Sequence, residues 1–232
     1  MKKFIIPLIL VYVHISFVVG IWLFPLQFLV VGIFLGLLYN VPCAVFQHRV
    51  LTHKNPIIPF FEKILIFMTW IRGTGSALGW TGVHRMHHKF TDTEKDPHST
   101  SIQGAVRVYF LSGLFNSPYI GRYVSDLLRN KLIMFQHVHY FKGLLLYHVV
   151  CLTVLPLHWY WLVAIVPSFI AFLGAGLVNS CCHDKDGPKN SVLLALLFGG
   201  EGWHKNHHED AGSPKFNDSF DAGYIVYKWM SR

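Results

Sequence analysis

The 15 histidines in this chain of 232 residues are unevenly spread, and their spacing is where chemistry could begin. His84, His87 and His88 stand at i, i+3, i+4, and so do His204, His207 and His208 within Glu201-Gly-Trp-His204-Lys-Asn-His207-His208. Residues at that spacing share one side of a helical turn, so their imidazoles can converge. His48 and His53, five apart, and His183, four after Asn179, complete four clusters holding nine histidines. Nine imidazoles exceed what one ion can hold, so two metals are implied. Imidazole suits Fe, Zn, Cu and Ni alike, so ligand type alone does not name the metal. Asp92 and Asp96 follow the second cluster, well placed to accept the other ring N–H of a bound histidine. Glu94, beside them, reads as a solvated turn residue. Glu201-x-x-His204 is half of a di-iron bundle pattern without its second copy. Glu201 therefore either stands behind the ligands or pairs with Lys205 at i, i+4. His14, His98, His137, His139, His148 and His158 lie outside the clusters and read as structural.

The elements that must carry these residues are membrane helices. The chain is 53% hydrophobic and only 14% charged, unlike a soluble domain. No Asp, Glu, Lys or Arg occurs from Phe4 through His48, nor from Gly143 through His183. Each gap is about twice the ~20 residues of one crossing, so each reads as a helical hairpin. The expected fold is an all-α membrane protein, one domain over residues 1–232, with four transmembrane helices in two hairpins. They cover about 4–24, 27–46, 143–158 and 162–182, with charge-free turns at Pro25 and Pro156 on the outer side. Lys and Arg then fall on the other side, which the positive-inside rule makes cytoplasmic. That side carries a helical cap, 49–142 and 183–232. Interfacial helices are expected in 59–80 and 193–198, and an amphipathic helix at Tyr224–Trp229.

Every histidine cluster lies at the same cytoplasmic edge, an agreement between two independent patterns. A metal transporter would keep its ionisable ligands near the bilayer midplane instead. The net charge of +8 is mostly topology, because the cations form no aromatic-interleaved stripe; nucleic acid is not a partner. Met1-Lys2-Lys3 and its apolar run imitate a signal peptide, but the run is too long and lacks a small-residue cleavage site. Cys43, Cys151, Cys181 and Cys182 read as buried reduced thiols. His14, Ser16 and Asn40 are polar groups at membrane depth that should face the protein interior. Gly32 and Gly36 mark either a close helix contact or the floor of an apolar tunnel. Gly73-Thr-Gly75-Ser-Ala-Leu-Gly79 reads as a bend, since its spacing is wrong for a dinucleotide loop.

Taken in order, the clusters resemble the histidine boxes of the membrane fatty-acyl desaturases, most closely the Δ9 acyl-CoA and acyl-lipid branch. The motifs are His48-x4-His53, His84-Arg-Met-His87-His88, Asn179-x3-His183 and the Glu201–His208 stretch, with Asp96-Pro-His98 after the second box. The likeness runs from about residue 25 to the last residue. It implies two iron ions held by His48, His53, His84, His87, His88, His183, His204, His207 and His208, with Asn179 contributing through a bound water. It implies O2 as co-substrate and a cis double bond, Δ9 being the expected position, in a long-chain acyl group linked to CoA or lipid. An unactivated C–H bond needs an oxidant that side chains cannot supply, in keeping with a redox metal. A histidine-box hydroxylase is the alternative. The sequence carries no His-Pro-Gly-Gly signature of a fused cytochrome b5 domain, so a separate donor of cytochrome b5 or ferredoxin type is expected. The membrane would be the bacterial inner membrane or the endoplasmic reticulum, with the active site facing the cytoplasm. Val83 departs from the Asp that animal acyl-CoA enzymes carry, and Lys205 from a common Asn; neither position is a ligand.

Overall fold

The structure is a computed structural model describing residues 2–111 and 120–232. Helix α1 covers Lys2–Leu23, and Pro25, with its fixed φ, ends it and opens α2 at Leu26. α2 runs to Val45 and continues unbroken into a π-helical turn, Phe46–Thr52. Pro42, inside α2, withholds one backbone N–H just before the helix widens. α3, Pro59–Ile71, leads through a bend at Gly73 and Gly75 (φ 89° and 109°) into α4, Ala77–Phe90. Gly79 already belongs to α4, so the bend is shorter than the sequence suggests. Short helices α5 (Thr100–Gln103), α6 (Ala105–Leu111) and α7 (Ile120–Tyr123) follow.

Helix α8 spans Lys131–Val154, starting 12 residues before the expected 143. The helix extends beyond the charge-free stretch at its start, where Lys131 and Lys142 lie on it. Asn130 caps it, accepting from Leu132 and Ile133 N–H at 3.1 and 3.2 Å. After the turn at Leu155–Pro156, α9 (Leu157–Tyr160), a π turn (Trp161–Ile165) and α10 (Val166–Cys181) form one continuous helix. It begins five residues before the expected 162. β1 (His183–Asp184) and β2 (Gly187–Pro188) form a two-residue antiparallel ladder, a small exception to an all-helical fold. α11 (Val192–Leu197), α12 (His204–Glu209) and α13 (Ala222–Met230) complete the chain. The expected short apolar and tail helices are thus present as α11 and α13.

Among the described residues, Leu26–Thr52 and Leu157–Cys181 are long and apolar enough to cross a membrane, and Leu8–Leu23 is a shorter apolar run. α1, α2 and α8 turn large apolar side chains outward, among them Trp22, Val30, Phe34 and Leu145. α2 packs on α10 where Gly36 stands: a Cβ there would lie 2.5 Å from Ile170 Cδ1. At Gly32 it would lie 3.1 Å from Val166. The pair is therefore a close helix contact. Asn40 is satisfied, donating to Gly36 O and Pro167 O at 2.8 Å and accepting from Arg72 Nε at 2.9 Å. His14 bonds Leu10 O at 2.8 Å and Tyr109 Oη at 3.1 Å, as a structural histidine would. Cys43, Cys151 and Cys182 are buried, whereas Cys181 is exposed, contrary to expectation, because it faces out from the last turn of α10.

Candidate metal centre

A pair five apart makes no sense on an α-helix, where 100° per residue sets its members about 140° apart. The π turn resolves this. Its hydrogen bonds span five residues, and His53 N–H donates to His48 O at 3.2 Å. The two rings lie 5.2 Å apart, centre to centre. Arg85 holds the end of that turn, donating to Leu51 O at 2.5 Å and Thr52 O at 2.9 Å while gripping Asp126 at 2.7 and 3.0 Å.

The nine clustered histidines assemble into two groups whose ligand atoms lie within 4.8 Å of one another: His48, His53, His84, His88 and His207; and His87, His183, His204 and His208. Each helical triplet is split. In α4 the i, i+4 pair His84 and His88 joins the first group and His87 the second. In α12 the i, i+4 pair His204 and His208 joins the second and His207 the first. Four Nε2 atoms close a ring: His48–His84 2.9 Å, His84–His88 3.1 Å, His88–His207 2.9 Å and His207–His48 2.9 Å. A square of that edge has its centre about 2.1 Å from each corner, close to the ~2.0–2.1 Å of a metal–imidazole bond. His48 gives its Nδ1 proton to Glu201, so its Nε2 presents a lone pair. Four nitrogens with fewer than four protons cannot satisfy four edges by hydrogen bonding, whereas one central cation satisfies all of them. The second group repeats the spacing at His183–His204 3.0 Å, His204–His208 3.2 Å and His208–His87 3.2 Å. Nε2 of His53 is buried without a hydrogen-bond partner, as an unused metal ligand would be. The residues therefore fit two metal ions.

Carboxylates stand behind three of the rings. Asp96 accepts from His87 Nδ1 at 2.9 and 3.0 Å, Asp92 from His183 Nδ1 at 2.9 Å, and Glu201 from His48 Nδ1. Glu201 does not pair with Lys205, which lies 3.9 Å from Glu209 instead. The reason is local: Glu201 precedes α12 in a turn, out of helical register with Lys205. In that turn Gly200, at φ 97°, has no room for a Cβ, which would fall 2.4 Å from Asp221 Oδ1. Glu94 is exposed, as its solvated reading requires.

Burial first, and neighbouring imidazoles second, hold His84, His204, His207 and His208 below the ordinary histidine range and push His53 and His88 down to about 2. These rings are neutral near pH 7, the form that binds metal. Burial works to raise the Glu201 carboxyl, but the His48 contact, with help from Arg49 and Arg72, holds it below its usual value.

Beside the first group lies an open cleft with about 660 Å³ of empty space, its mouth included. Leu37, Val41, Ile170, Val178 and Phe198 give it an apolar wall, and His48, His84, His204, Glu201 and Trp80 front it. Gly32 and Gly36 do not line it. Asn179 does, half-buried. The helix ends at Cys181 and His183 lies on β1, so Asn179 and His183 do not share a helical face as expected. His98 is buried beside His87, ring centres 5.4 Å apart, yet joins neither group.

Sequence reasoning missed the supports. Arg49 is fully buried, paired with Asp221 at 2.8 and 2.9 Å, and lies 3.8 Å above the Phe216 ring. Phe216 in turn packs against His207 at 4.4 Å. Trp80 stacks on His84 at 4.9 Å. The one legible signal was Arg49 standing next to His48; nothing local marks Asp221 or Phe216.

No protein-family model matches the chain. Among curated proteins it is 32% identical over 195 residues to a Delta-9 desaturase-like protein of Arabidopsis thaliana, covering 76% of this chain and 64% of that one. It is 34% identical over 210 residues to an acyl-CoA 5-desaturase of Anemone leveillei, 79% of this chain and 63% of that one. An sn-1 stearoyl-lipid 9-desaturase of Synechocystis aligns at 31% over 177 residues, 69% of this chain and 54% of that one. The chain thus spans somewhat less than two thirds of the length of these relatives. With its two histidine groups, the chain is similar over most of its length to proteins named as acyl-CoA and acyl-lipid desaturases.

Proposed function

We propose that the chain is an O2-dependent fatty-acyl desaturase that introduces a cis double bond, Δ9 in the first instance, into a long-chain acyl-CoA or acyl-lipid. The observation that carries this is the closed ring of Nε2 atoms at metal-ligand spacing, fronting an apolar cavity. Two irons are assigned, one to each histidine group, with Asn179 contributing through a water. When bound, they supply the oxidant that an unactivated C–H bond requires.

The chain's own residues do the rest. Asp92, Asp96 and Glu201 fix the tautomer and aim of His183, His87 and His48, because a ring that donates from Nδ1 presents Nε2. Leu37, Val41, Ile170 and Val178 form an apolar path that an acyl chain follows and water does not. Taking two hydrogens from adjacent methylenes while O2 becomes two waters requires two further electrons and two protons. The electrons are assigned to a separate one-electron donor of cytochrome b5 or ferredoxin type.

The same reading makes α1, α2, α8 and the α9–α10 helix four crossings in two hairpins. The histidines then face the cytoplasm, beneath a cap of the remaining helices, in an inner or endoplasmic-reticulum membrane. Outward apolar residues on α1, α2 and α8 support it. Expression in a host unable to make unsaturated fatty acids should yield a new monoene, located by gas chromatography and mass spectrometry after double-bond derivatisation. A product heavier by one oxygen would identify a hydroxylase. No new double bond from iron-loaded protein with a competent donor would sink the proposal.

A further inference from the structure

The carboxylates behind the imidazoles are divided unequally between the two groups. In the four-histidine group, His87 and His183 each give a ring proton to an aspartate, at 2.9 Å in both cases. Asp96 is 1% exposed and accepts from His87 Nδ1 and, at 2.8 Å, from the backbone N–H groups of His98 and Asp92. Asp92 turns towards His183 from a left-handed backbone, φ 58°, and its other oxygen is buried without a partner. Such a conformation is held only where the surroundings impose it.

In the five-histidine group the carboxylate is Glu201, on His48, and its other oxygen lies 3.6 Å from the guanidinium of Arg49. Arg49 is itself buried against Asp221. One group thus has two anions behind its rings, Asp96 buried and Asp92 with its side chain 19% exposed. The other has one, shared with a cation. An anionic acceptor behind a bound imidazole raises its basicity, and charges are felt more strongly in a buried site than in water.

Resting on the di-iron reading above, we propose that the two metal positions are electronically unequal, with Asp92 and Asp96 making the four-histidine position the more readily oxidised. A one-electron oxidant such as ferricyanide takes one electron from the diferrous pair, gives Fe(III) at the four-histidine position and leaves Fe(II) at the other. Asp92 and Asp96 are positioning residues that act through His183 and His87.

The test uses the full chain in detergent, loaded with 57Fe, given one oxidising equivalent without oxygen, and read by Mössbauer and EPR spectroscopy. Unequal positions give more than half of the molecules as Fe(II)Fe(III), the limit for two equal and independent sites. Asp92→Asn should lower the comproportionation constant about tenfold, and Glu201→Gln should raise it about tenfold. A merely structural role would move both variants the same way. Asp96→Asn serves as a second aspartate variant. The proposal is overturned by a mixed-valent share of half or less, by both variants shifting in one direction, or by loss of iron from both aspartate variants. Wild-type chain that binds fewer than two irons would instead defeat the di-iron reading itself.

Discussion

His87 and His88 are neighbours in sequence but belong to different groups, and so do His207 and His208. If each group holds one iron, His88→Ala and His87→Ala should remove different ions. Iron per chain should fall from two towards one in each, with monoene formation reduced at least a hundredfold; metal analysis and product analysis read the two effects. Arg49 makes a separate prediction about stability. Asp221→Ala leaves a fully buried guanidinium without its bidentate partner, a loss of about 3–5 kcal/mol. It should show as a lowered thermal unfolding midpoint in detergent. The triplets and their spacing were legible in the sequence because a helical turn imposes local geometry. Arg49–Asp221 was not legible, because its partners are 172 residues apart.

At the scale of the element, the π turn after α2 decides whether the first box works. Deleting Val50 returns His48 and the shifted histidine to i, i+4 spacing and removes the need for the wide turn. Iron in the five-histidine group should be lost while the chain still inserts, checked by metal analysis beside membrane fractionation. The i, i+5 spacing was itself the sequence signal for a π turn, though it was met only as a pair of histidines at a helix end. The α2–α10 contact gives a second prediction. Gly36→Phe drives a ring into Ile170 and the α10 backbone at Pro167, an overpacking cost of about 1–3 kcal/mol or more. Thermal stability should fall, while any product retains its chain length. The start of α8 shows the limit of reading charges: Lys131 and Lys142 end an apolar stretch without ending a helix.

Across the whole molecule, the buried imidazoles make the metal-free protein sensitive to acid. His53 and His88 have folded values pushed down to about 2 from an ordinary 6.5, so below that value the unfolded chain binds protons that the folded chain refuses. Stability is unaffected above about pH 6.5 and falls steadily as pH drops below it. The unfolding midpoint of metal-free protein should therefore decrease from pH 7 to pH 5, and a rise over that interval would contradict the buried neutral state. The sequence by itself determined the histidine clusters, the apolar stretches and the helical character, because these depend on residue type and on spacing within a turn or two. Only the tertiary structure decided how nine rings divide into five and four, which carboxylate stands behind which ring, and that Gly36 serves packing. Those outcomes depend on where distant helices cross, and the crossing that sets i, i+4 partners against an i+3 neighbour is fixed by packing rather than by any local run of residues.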